Sequence, residues 1–134
     1  MNKLQANGRF LARQFVFAWF LIGGVMHFAK PNLFVRIVPP YIPYAIAAVY
    51  ISGACELLGA IGIWIKQVRS LAGYGLMLLT IAVTPANVFM LQHADAFSEV
   101  PYWALVVRLP FQLFLIWLIW WCTRPNLAIK KANN

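Results

Sequence analysis

The chain is 134 residues long, 63% hydrophobic and only 10% charged, with a mean hydropathy of +0.73. A soluble domain carries far more charge, so this composition excludes an ordinary water-soluble fold and points to an integral membrane protein. The net charge of +8 does not point to nucleic acid, because the basic residues sit at the ends of the apolar runs.

Apolar runs cover about residues 10–28, 44–65, 70–91 and 102–122. At about 1.5 Å per residue each reaches across a hydrocarbon core of roughly 30 Å. Buried soluble helices would need polar faces, which these runs lack. The expected fold is therefore all-α: an integral membrane four-helix bundle forming a single domain over residues 1–134. The first run has no small-residue cleavage site after it and reads as a retained span. Segment 29–43 follows, with Pro31 suited to a first helical turn and Pro39-Pro40 to end it. A short interfacial helix is expected there, as a connector or a lid. The brief link at Lys66–Arg69 makes spans two and three an antiparallel hairpin.

Charge sets the direction. Lys3, Arg9, Arg13, Lys66, Arg69, Arg124, Lys130 and Lys131 fall on one side, while Lys30 and Arg36 fall on the other with Asp95 and Glu99. This bias predicts cytoplasmic N- and C-termini in a multi-pass protein of the inner membrane. Tyr41, Tyr44, Tyr102 and Trp103 mark the outer edge, and Trp64, Trp120 and Trp121 the inner one. Cys55 and Cys122 form no C-x-x-C motif and read as packing residues.

Glu56 is the most unusual residue. It is one of only three acids and lies inside an apolar span, where a charge needs a partner or a function. Arg108, in the fourth span, is the expected partner. Helical spacing lines up further polar groups: Gly23 and His27; Ser52, Glu56 and Gly59; Thr80, Thr84 and Asn87; Arg108 and Gln112. All four stripes should face inward. Counted at about 1.5 Å per residue from the outer edge, His27 and Asn87 lie roughly 3–6 Å deep, Arg108 about 9 Å, Gln112 about 15 Å and Glu56 about 18 Å. A polar pocket in the outer half is the expectation, with His27, Ser52, Glu56, Thr84, Asn87, Arg108 and Gln112 as ligand-binding candidates. Glu56 and His27 are the candidates for catalysis by proton transfer. Pro85 and Pro110 should kink spans three and four beside this layer. No metal site is expected, since His27 and Glu56 are too few ligands. Bis-His haem fits poorly because His93 falls in the outer loop, although His27 alone remains an axial candidate.

Gly24-x-x-His27-Phe28, Pro31, Ile37-Val38-Pro39-Pro40, Ser52-Gly53-x-x-Glu56, Thr84-Pro85-Ala86-Asn87 and Arg108-Leu109-Pro110-x-Gln112 occur in this order. Together they resemble the DoxX family of small four-helix bacterial membrane proteins, across residues 18–121. The resemblance implies a link to quinone or redox-stress chemistry and supplies no catalytic residues; the absence of C-x-x-C departs from its thiol-redox relatives. The first expectation is thus a quinone-linked or redox-associated component, with quinone as cofactor or substrate and a redox partner subunit carrying electrons. The alternatives are a binding or transport module for a small lipophilic molecule, which for transport would need a homo-oligomer, and an assembly subunit of a membrane complex. Membrane lipids are partners in every case.

Overall fold

The computed structural model describes residues 1–125, so Lys130 and Lys131 lie outside the described residues. Helix α1 spans Lys3–Ala29, α2 Pro31–Val35, α3 Ala45–Gly62, α4 Arg69–Ala82, α5 Thr84–Gln92 and α6 Tyr102–Thr123, with a 3-10 turn at Ala94–Phe97 before α6. Four helical stretches are long and apolar enough to cross a membrane: α1, α3, α4 with α5, and α6. The all-helical bundle with a short helix between spans one and two is as the sequence predicts.

The boundaries follow local chemistry. The Asn2 side chain accepts the Gln5 backbone N–H at 2.8 Å, which starts α1 well before its apolar run. Pro31 opens α2, and α2 ends before Pro39-Pro40. The chain enters α3 through Tyr44 at φ 55°, a left-handed conformation that costs an aromatic residue about 1–2 kcal/mol. Gly62 ends α3, and Arg69 opens α4. Pro85 lacks the N–H that would continue the third span, so the helix breaks at Val83 into α4 and α5. Pro110, by contrast, sits within an unbroken α6.

In the bundle, α1 packs on α3 and α6, and α4 packs on the same two helices. This arrangement sets α3 and α6 at opposite corners. The main core joins Val16 and Phe20 of α1 to Ala60 and Ile63, Leu76, Leu115 and Ile119. A smaller cluster of Met90, Phe97 and Leu105 closes the other end. Leu58, Leu71, Leu78 and Leu113 point outward and are about 70% exposed, a surface suited to acyl chains rather than water.

The tightest seam is between α1 and α3. A Cβ on Gly53 would lie 2.6 Å from the His27 Cβ, and one on Gly24 would lie 3.0 Å from the Gly53 carbonyl oxygen. His27, near the end of α1, is therefore level with Gly53, inside α3. The first turns of α3 rise beyond α1, and α2 packs against them. The depth count assumed that both helices reach the same outer plane, and this stagger overturns it. Replacing Gly53 with Ala should force the helices apart and cost about 1–3 kcal/mol, read as a lower thermal midpoint in detergent. An unchanged midpoint would show that the seam yields without cost.

Candidate functional site

The polar residues expected as one layer form two separate groups. The first lies on the α1–α3 seam. The Gly23 carbonyl accepts a hydrogen bond from His27 Nδ1 at 2.7 Å. A carbonyl only accepts, so Nδ1 carries a proton. Glu56 Oε2 lies 3.4 Å from the same Nδ1, and both side chains are nearly nine-tenths buried. Because Nδ1–H points to Gly23, Glu56 Oε2 is buried without a hydrogen bond. Gly23 makes the approach possible, since a Cβ there would stand 2.9 Å from that oxygen. The ring of Phe34 in α2 stacks on His27 at 3.9 Å between centroids, so α2 covers the pair. Ser52 is half-buried on α3, one turn before Glu56.

The second group ties span three to α6. Asn87 Nδ2 donates to Gln112 Oε1 at 2.8 Å, and Gln112 Nε2 donates to the Thr80 carbonyl at 2.7 Å and to the Thr84 hydroxyl. Thr84 Oγ1 also donates to the Thr80 carbonyl at 3.4 Å. The break before Pro85 exposes backbone at this level, and Gln112 reaches across to satisfy it. The Gln112 amide is thus engaged at both ends, by Asn87 on one side and by Thr80 and Thr84 on the other.

The expected ion pair between Glu56 and Arg108 does not form. Among the described residues Glu56 meets His27, and Arg108 Nη1 donates to Met90 Sδ at 3.2 Å. The cause is topological: the two residues stand on α3 and α6, which occupy opposite corners of the bundle. The polar pocket expected between them is likewise not what joins these residues. An open groove of about 490 Å³ runs beside α5 instead, lined by Tyr41, Ile81, Thr84, Pro85, Val88, Phe89 and Gln92. Of the candidate residues it touches only Thr84.

With this geometry in hand, comparison with known families decides membership. Residues 16–123 match a family described as a domain of unknown function (DUF8561). The chain belongs to the DUF8561 family. The resemblance to DoxX is thereby corrected. Its short Gly, Pro and His motifs reflect demands that many small membrane bundles share: close helix contact, a helix break and a polar seam. No curated protein and no solved structure matches the chain. The DUF8561 match includes both polar groups and stops short of Arg9 and Arg13.

Sequence reasoning missed Phe34 as the cover of His27 and Met90 as the partner of Arg108. The Gly23–His27 spacing did signal the first group, because i and i+4 positions share a helix face. Outside the spans, Arg36 donates to Glu99 at 2.7 Å and to the Ala96 carbonyl at 2.9 Å, fastening the chain after α2 to the turn before α6.

Two outcomes follow. Gln112→Leu should remove the span-three link and leave the Asn87 Nδ2 donor without its partner, lowering stability by about 1–3 kcal/mol in thermal unfolding. Glu99 is held below the usual carboxylate range by its own backbone N–H and by Arg36. A lowered folded pKa makes the Arg36–Glu99 tie fully present above the ordinary Glu value of about 4.3 and lost as pH falls through the folded value. Hydrogen exchange around residues 94–99 should therefore quicken in acid, and Arg36→Gln should weaken that pH dependence, leaving the part due to the Glu99 backbone N–H.

Proposed function

We propose that this DUF8561 protein is a multi-pass membrane binding module for a small lipophilic molecule bearing a hydroxyl or amine donor, held at His27 and Glu56. One observation carries the reading: Glu56 Oε2 is buried, lies 3.4 Å from an imidazole nitrogen and accepts no hydrogen bond. A buried carboxylate oxygen left without a donor is costly, and a ligand donor removes that cost. Among the described residues His27 Nε2 also makes no hydrogen bond. With the carboxylate ionised and the ring neutral both atoms accept, and the site then favours an alcohol, phenol or hydroquinone over a ligand that offers only carbonyls. Phe34 supplies an aromatic wall beside them.

The same feature supports a second reading, in which the ligand is a quinol and the pair takes up its protons on oxidation. The electrons would then pass to a partner subunit. The charge bias along the chain supports an inner-membrane location with the termini in the cytoplasm.

Mass analysis of gently purified protein should find a co-purifying lipophilic alcohol, phenol or quinol. Glu56→Leu should reduce its retention about tenfold or more, the loss of one hydrogen bond to a charged group, and His27→Ala should reduce it too. Retention unchanged in both variants would overturn the binding site. A ligand that binds without any absorbance change on adding an electron acceptor would exclude the quinol-oxidation reading and leave the binding module.

A further inference from the structure

At the end of the bundle opposite α2, α3 and α6 finish while α1 and α4 begin. Arginines from both starting helices reach the carbonyls of both finishing ones. Arg9 donates to the Arg124 carbonyl, and Arg13 Nη1 donates to the Cys122 carbonyl at 3.3 Å. Arg69 Nε donates to the Ile63 carbonyl at 2.7 Å. The Arg124 guanidinium lies 4.3 Å over the Trp120 ring. Arg9 feels the like charges of Arg124 and Arg69, and Arg13 those of Arg69 and Arg9.

None of the three acidic side chains lies at this end. Glu56 lies beside His27 and Glu99 is bound to Arg36, while Asp95 belongs to the turn Ala94–Phe97 before α6. Helix dipoles do not balance the positive charge. Two C-termini contribute roughly half a negative charge each, and the two N-termini at the same end contribute the opposite.

We infer that this end binds the phosphate of an anionic phospholipid headgroup between Arg13, Arg69 and Arg124, with Arg9 reinforcing the field. Guanidinium forks match phosphate oxygens in geometry and charge. The position favours a lipid over free phosphate. Helix α1 has 27 residues. At about 1.5 Å per residue it runs about 10 Å longer than a hydrocarbon core of roughly 30 Å, which leaves its first turns, through Arg9, at headgroup depth and Arg13 one turn below, within reach of the headgroups through its long side chain. Trp117 of α6, two turns before Arg124, is half exposed, so acyl chains have an apolar surface directly below. Trp64 and Trp120 flank the cluster as interfacial aromatics do.

The test is native mass spectrometry of the full chain released from mixed vesicles of phosphatidylglycerol and phosphatidylcholine. Phosphatidylglycerol should be retained about tenfold over phosphatidylcholine, in line with several cationic groups acting together on one headgroup. Arg124→Gln, which removes a side chain that serves no backbone carbonyl, should reduce this preference several-fold. Lys30→Gln at the opposite end should leave it intact. Thermal unfolding in detergent provides a second measurement: phosphatidylglycerol should raise the midpoint, and inorganic phosphate at the same concentration should not. Equal retention of the two lipids, an equal effect of inorganic phosphate, or equal losses in the two variants would each overturn the inference.

Discussion

The close contact of α1 with α3 is the constraint on which the rest of the structure depends. Gly24 and Gly53 remove the side chains that would hold the two backbones apart, and Gly23 leaves room for a carboxylate against the α1 backbone. In lipid there is little hydrophobic drive to bring helices together, so van der Waals contact at small residues must supply it. The seam also sets the stagger of the two helices. That stagger brings His27, near the end of α1, to Glu56, deep in α3, and leaves the exposed start of α3 for α2 to cover. Phe34 then reaches His27 because α2 packs against both α3 and α1.

The second organising fact is the ring of neighbours around the bundle. Polar side chains in a membrane find partners only on their own helix or on adjacent ones, since no water reaches them. Gln112 on α6 meets span three and satisfies backbone exposed near Pro85. Glu56 on α3 meets α1, and Arg108 cannot reach it across the diagonal. The outcome is one network whose central Gln112 amide is engaged at both ends and one pair with a buried acceptor left open. An engaged amide resists ligands, whereas a buried acceptor without a donor gains from one. That difference gives the His27–Glu56 pair a stronger claim to binding than the larger Gln112 cluster, although the latter holds more polar atoms.

The two ends of the bundle use charge differently. Near α2, Arg36 and Glu99 neutralise each other across the turn that precedes α6. At the opposite end, arginines from α1 and α4 cap the carbonyls of α3 and α6. Such capping satisfies the helix ends but accumulates positive charge, which an anionic surface relieves. Stability of the bundle is thereby coupled to the lipid around it, and the coupling is confined to one end.

Much of the fold was legible in the sequence. Apolar runs of bilayer length specify spanning helices whatever their neighbours, because backbone hydrogen bonds in hydrocarbon must close within the segment. Pro31 and Pro39-Pro40 marked the limits of α2, and Pro85 marked the break in span three, since proline acts through its own missing N–H. Helical periodicity also grouped Gly23 with His27, and Thr80 with Thr84 and Asn87. Periodicity does not say which stripes meet. Whether Glu56 found His27 or Arg108 depended on helix adjacency and on a stagger set by glycine contacts, and both are properties of packed helices rather than of any one segment. The sequence by itself determined the helices and most of their inward faces, with Arg108 exposed against expectation; only the tertiary structure decided which faces touch and which acceptor is left without a donor.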